Sequence, residues 1–175
     1  MTSALKIEPA RLRLADLRSL WQAPLTMSLA ADAWPAIDAS SQAVQRIVAK
    51  GDAAYGVNTG FGLLAKKRIP DAELQQLQRN LILSHSVGTG ELLSDDVVRL
   101  ALVMKIASLA RGHSGVRRQI VEALIALVNS GIVPCVPSKG SVGASGDLAP
   151  LSHLTLALLG EGEVRVNGVR QSARA

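Results

Sequence analysis

Between Asp71 and Gly131 the apolar residues return at helical spacing three times in succession, each run marked by residues that open or close helices. Leu74, Leu77, Leu81 and His85 share one face of a helix expected from Asp71, read as its N-cap, to about Val87, ahead of Gly88 and Gly90. Ser94 opens the second helix, Asp95 and Asp96 place negative charge in its first turn, and the pattern continues to Ala110. The third runs from Val116 to Asn129, with Ile120, Leu124, Leu127 and Val128 as its stripe and Gly131 as its stop. Three consecutive amphipathic helices must bury their stripes against one another, so the architecture is expected to be mainly α.

The flanking segments add to this frame. Val44, Ile47 and Val48 predict a helix from about Trp34 to Lys50, stopped by Gly51. Alternation at Leu12 and Leu14, and again at Leu25, Met27 and Leu29, predicts two short strands around a helical turn from Ala15 to Trp21. Pro134 and Pro137 keep the chain extended towards residue 140, and a further helix is expected from just after Gly146 to about Leu159. The segment V-R-V-N-G-V-R predicts a C-terminal β-hairpin turning at Asn167-Gly168. There are no internal repeats, and 175 residues are enough for one domain with its own core.

The segment from Gly140 to Pro150, G-S-V-G-A-S-G-D-L-A-P, does not read as core. Gly146 lacks a Cβ, so its amide nitrogen can approach the Ala144 carbonyl carbon in a geometry that other residues would crowd. Attack there closes a five-membered ring that contains Ser145. Loss of the carbonyl oxygen and then of the serine hydroxyl, as two waters, leaves an electrophilic methylene conjugated to an imidazolone. Other templates fit less well. A phosphate loop needs G-x-x-x-x-G-K-[ST] and a dinucleotide loop G-x-G-x-x-G, whereas these glycines fall at 140, 143 and 146. The hydrolase elbow G-x-S-x-G fails at both Ser145 and Ser114.

These residues carry a resemblance. G-S-V-G-A-S-G-D-L-A-P-L is similar to the signature of the histidine and aromatic amino-acid ammonia-lyase family, whose members convert an internal Ala-Ser-Gly into methylidene-imidazolone. The loop Y-G-V-N-T-G-F-G, from Tyr55 to Gly62, resembles the family's second active-site loop, in which the tyrosine is the base. Elimination of ammonia removes a weakly acidic β-proton, so a base must stand close to that carbon, and a tyrosine serves only as phenolate. Free tyrosine has a pKa of about 10, so a partly buried, electropositive setting is expected around Tyr55. Ser84-His85 resembles the position that contacts the substrate side chain, and a histidine there points to the histidine-specific branch. Asn58 is a candidate for hydrogen bonds to the substrate or ring, and Asp147 for support of ring formation. Arg111-Gly112-x-Ser114-Gly115 resembles a structural motif of the family.

The resemblance implies a helical fold of which this chain is the N-terminal, electrophile-bearing region, with a few short strands and the hairpin. It implies conversion of L-histidine to trans-urocanate and ammonia with no external cofactor. In the preferred version the substrate amine adds to the methylidene carbon while Tyr55 removes the β-proton, with attack by the imidazole ring left open. It also implies a homotetramer at full length, whose missing C-terminal helices complete the pocket, so residues 1–175 alone are expected to be inactive and to expose apolar helix faces. Three rivals stand beside it: a tyrosine or phenylalanine lyase or aminomutase of the same family, a serine hydrolase using Ser145, His153 and Asp147, and a truncated, non-catalytic helical module.

Charge and composition exclude other classes. A formal charge of +5 raises the question of nucleic acid, but the basic residues are spread along the chain and only 2% of residues are aromatic, so no nucleic-acid partner is expected. Lys66-Lys67-Arg68, the one compact basic cluster, reads as a solvated loop. Val97 to Leu109 is broken by Arg99 and Lys105 and falls short of the ~20 apolar residues needed to cross a bilayer, so no membrane association is expected. With no secretory signal and one cysteine, Cys135, the protein is expected in the cytoplasm. Cys135 has no evident charged partner, His113 and His153 read as hydrogen-bonded core residues, and the three histidines lie too far apart in sequence for a metal site.

Overall fold

The computed structural model describes residues 4–22, 26–60, 65–143 and 148–174. Strands β1 (Ala4–Ile7) and β2 (Thr26–Leu29) pair in parallel, and helix α1 (Leu14–Gln22) lies on the crossover between them. The alternation at Leu12 and Leu14 therefore does not make a strand. Asp16 accepts the Arg13 amide at 2.9 Å and the Arg13 guanidinium as well, which closes a helical first turn and commits Leu14 to α1. Helix α2 (Trp34–Lys50) takes Pro35 in its first turn and ends at Gly51, whose φ of 80° is the left-handed stop expected of a glycine.

Helix α3 (Leu74–His85) is preceded by a 3-10 turn over Asp71–Glu73. Asp71 is not its cap: the carboxylate turns back to Arg68 at 2.9 Å, and Pro70 holds the capping position of the turn. The helix ends at His85, short of Val87, because Ser86 leaves helical geometry. Strand β3 (Thr89–Leu92) follows, then α4 (Asp95–Leu109), α5 (Arg118–Asn129), β4 (Val133–Pro134), β5 (Pro137–Lys139) and α6 (Leu148–Leu156). A 3-10 turn extends α6 through Leu159 to Gly160. The hairpin of β6 (Glu163–Val166) and β7 (Val169–Ser172) turns at Asn167 and Gly168, both with positive φ, the backbone that an Asn-Gly turn supplies.

The core forms where α4 meets α5. Val98, Leu102, Val103, Ile106 and Leu109 pack with Val121, Leu124 and Val128, and with Ile7, Leu20, Met27 and Ile37 from the N-terminal unit. Each such side chain contributes roughly 1.5–3 kcal/mol by leaving water. Asn129, at the end of α5, adds a directional tie: its Oδ1 accepts the Met27 amide at 2.7 Å and its Nδ2 donates to the Met27 carbonyl at 2.9 Å.

The Arg111-to-Gly115 motif has a packing role. Gly112 (φ 71°) rides on the α2 backbone, where a Cβ would stand 2.6 Å from the Ala36 carbonyl carbon, and Gly115 (φ 68°) sits over Val44. Gly115 and the extended Arg117 also delay the start of α5 to Arg118, two residues beyond the Val116 expected from the sequence. Two further contacts place the site. Helix α3 packs on α6, and β3 pairs antiparallel with β5, Thr89 opposite Lys139.

Candidate active site

Ala144, Ser145, Gly146 and Asp147 lie outside the described residues, and so do Phe61 and Gly62 of the tyrosine loop. What is described is the frame on either side of the tripeptide: β5 runs into Gly140 to Gly143, and α6 begins at Leu148. Gly143 takes a φ of 66°, and none of the described residues comes within 4 Å of the position its Cβ would occupy. The chain there turns left-handed immediately before Ala144.

The two sides of this frame meet the segment that follows His85. A Cβ on Gly140 would stand 3.2 Å from both the Gly88 Cα and the Ala149 Cβ. A Cβ on Gly88 would stand 3.1 Å from His153 Nε2 and 3.2 Å from the Pro137 Cβ. Small residues at 88, 140 and 149 therefore bring three pieces of chain into backbone contact: the exit of α3, the exit of β5 and the first turns of α6. The Gly88 amide donates to His153 Nε2 at 3.0 Å. That nitrogen must be unprotonated to accept, so the ring is neutral with its proton on Nδ1. Burial pushes the His153 pKa below its ordinary value, in the same sense.

His85 occupies the last turn of α3, half-buried, on the face it shares with Leu74, Leu77 and Leu81. Its Nδ1 lies 2.7 Å from the Leu81 carbonyl and 3.2 Å from Ser84 Oγ, so the main chain fixes the imidazole. Val87, Val142 and Leu148, on the segments that meet at this junction, are exposed and give it an apolar rim.

Tyr55 stands on the loop between α2 and α3 and is 65% exposed, so the partly buried setting expected of a phenolate is not met within these residues. The loop itself is braced. Asn58, fully buried, accepts the Ala54 amide at Oδ1 (2.7 Å) and donates from Nδ2 to the Asp52 carbonyl (2.9 Å), clasping Tyr55 between two fixed points. Its amide donates to the Ala54 carbonyl and its own carbonyl accepts the Ile69 amide, while Thr59 bridges Arg68. The Asn58 carboxamide, read from the sequence as a group facing the substrate, is here committed to the backbone of its own loop.

The remaining expectations fall differently. His153, read from the sequence as a hydrogen-bonded core residue, is half-buried and hydrogen-bonded, but its partner is a glycine 65 positions away that nothing local links to it. Its Nε2, which a serine hydrolase would need, already holds Gly88. His113 is on the surface and not in the core. Cys135 is buried with Arg165, Arg170, Glu163 and Asp95 acting on it, so charged neighbours do exist, yet burial dominates and pushes the thiol up, away from a reactive thiolate. A cavity of about 320 Å³ walled by Asp95, Arg99 and Asn167, and an apolar groove of about 290 Å³ between α4, α5 and α6, include none of Tyr55, Asn58 or His85. Among the described residues no helix is long and apolar enough to cross a membrane.

Residues 12–175 match the family model described as aromatic amino acid lyase. A histidine ammonia-lyase of Vibrio cholerae is 53% identical over 164 residues, covering 94% of this chain and 32% of that protein. Among solved structures, ergothionase from Treponema denticola superposes with a TM-score of 0.93 at 29% identity, over 98% of this chain and 34% of its own. Histidine ammonia-lyase from Trypanosoma cruzi does so with a TM-score of 0.89 at 34% identity, over 98% of this chain and 33% of its own. The chain thus spans about a third of the length of the relatives it matches.

Proposed function

The chain belongs to the aromatic amino acid lyase family, and from that premise we propose that it is the electrophile-bearing region of a histidine ammonia-lyase, which converts L-histidine to trans-urocanate and ammonia. The observation that carries this reading is the intact Ala144-Ser145-Gly146 between β5 and α6, in a chain 53% identical to a histidine ammonia-lyase. What supports ring formation in the described frame is that a left-handed Gly143 leads into the tripeptide and that helix α6, packed on α3, starts at Leu148.

Methylidene-imidazolone, formed from these three residues without an external cofactor, supplies an electrophile that turns the substrate's amine into a leaving group. The rest falls to side chains of this chain. Tyr55, as phenolate, takes the β-proton at its phenolic oxygen, and Asn58 holds the loop that presents it. His85, its Nδ1 turned to the Leu81 carbonyl, stands at the position proposed to contact the substrate side chain. The apolar rim of Val87, Val142 and Leu148 and the exposed Tyr55 fit a site closed by further chain, in a cytoplasmic homotetramer whose subunits share their active sites. On this reading residues 1–175 alone are inactive.

Substrate choice tests the proposal. In the chain completed to family length, turnover of L-histidine to urocanate, with tyrosine and phenylalanine left unchanged, is expected. Preference for either aromatic substrate places the protein in another branch of the family, and no turnover of all three removes the reading.

A further inference from the structure

The contact between His153 and Gly88 joins parts of the molecule that the proposed chemistry keeps distinct. Gly88 lies three residues beyond His85 and directly before β3. His153 lies in the second turn of α6, the helix that starts immediately after the tripeptide segment. Gly140, on the other side of that segment, touches both Gly88 and Ala149. One small cluster therefore fixes the exit of α3, the entrance to the tripeptide and the exit from it. An added carbon at Gly88 or Gly140 would press on its neighbours at 3.1–3.2 Å, and α6 is tied to the α3 exit by the 3.0 Å hydrogen bond from the Gly88 amide to His153 Nε2.

We propose that His153 is a positioning residue: as a neutral acceptor on α6 it locks the segment carrying His85 to the frame of Ala144–Gly146, and so sets where the substrate side chain stands relative to the electrophile. The inference rests on the lyase reading above and adds to it a residue that touches neither substrate nor ring. The β3–β5 pairing already sets Thr89 opposite Lys139, but packing alone would leave α6 free to slide against those two strands. A hydrogen bond through a ring that α6 carries rigidly fixes their register. Without it the Gly88 amide is left half-buried and unpaired, and α6 is free to shift against the α3 exit by a fraction of an ångström. Errors of about 1 Å in a reacting geometry cost on the order of 100-fold in rate.

The test compares His153→Gln with His153→Asn in the full-length protein, because the glutamine oxygen reaches the place of Nε2 and the asparagine oxygen only that of Nδ1. The fraction of molecules with the two-water mass loss at residues 144–146 counts competent sites, and kcat for L-histidine is expressed per competent site. The glutamine variant is expected to keep kcat within about threefold of wild type and the asparagine variant to lose roughly 10- to 100-fold. Gly88→Ala, which drives a methyl group against the same nitrogen, is expected to match asparagine. Equal kcat per competent site in the glutamine and asparagine variants, or a loss confined to the number of competent sites, overturns the inference while leaving the lyase reading standing. A wild-type protein with an unmodified Ser145 and no turnover removes both.

Discussion

Asn58 Oδ1 stands 2.7 Å from the Ala54 amide while its Nδ2 stands 2.9 Å from the Asp52 carbonyl, so one buried carboxamide spans the backbone on which Tyr55 is mounted. Replacement by alanine removes both of these part-buried bonds, at about 0.5–1.5 kcal/mol each. Asn58→Ala is expected to lower the melting temperature and to speed amide exchange at residues 54 and 58 selectively. Unchanged exchange at Ala54 would show that the clasp does not hold the loop.

Tyr55→Phe removes the proposed base and leaves the clasp intact. In the full-length protein kcat is expected to fall roughly 10²- to 10⁴-fold, the range of a lost general base, with the mass at residues 144–146 unchanged. Undiminished kcat would assign the β-proton to another group.

Gly112 and Gly115 make a paired prediction about packing. Alanine at either position pays for a left-handed backbone, about 1–2 kcal/mol, but the obstacles differ. At 112 the new methyl meets the α2 main chain at 2.6 Å, which cannot rotate aside, whereas at 115 it meets a Val44 methyl group. Gly112→Ala is therefore expected to be the more destabilising by denaturant unfolding, by about 1–3 kcal/mol. The reverse order would mean that α2 shifts more readily than Val44.

Stability should fall on the acid side in two stages. The folded pKa of His153 lies below the ordinary imidazole value of about 6.5, so between the two values the unfolded chain binds more protons and stability rises with pH. That contribution is complete above about pH 6.5 and is lost as pH falls through the folded value. Asp38 beside Arg118, Asp16 beside Arg13 and Glu161 beside Arg174 and Arg79 are held below the carboxylate range. Their stabilisation is present above about pH 4 and is lost on further acidification. Unfolding titrations of His153→Gln are expected to lack the upper stage and keep the lower one. Persistence of both stages would assign the upper one to another group.

Much of this was legible from the order of residues. Helices α2 to α5 carry apolar stripes, Gly51 and Gly131 stop α2 and α5, and the Asn167-Gly168 pair admits the positive φ its turn requires, so local chemistry decided them. Strand β1 has four residues and pairs in parallel with a segment some twenty positions on, a partnership with no local signature, and Leu14 followed the capping interaction of Asp16 over its own alternation. The site divides in the same way. Tyr55, His85 and the tripeptide stand in recognisable strings, and the short-range bonds of Asn58 are of a kind its position in a turn allows. The tie from His153 to Gly88 depends on how α3 comes to lie against α6, which only the assembled fold determines.

The central claim is that Ala144, Ser145 and Gly146 become a reagent. The mass of the tryptic peptide Gly140–Arg165 from the full-length protein tests it most directly: the value expected is two waters below that of the unmodified sequence, with the loss mapped to residues 144–146 by fragmentation. A peptide of unmodified mass, with its serine hydroxyl intact, contradicts it.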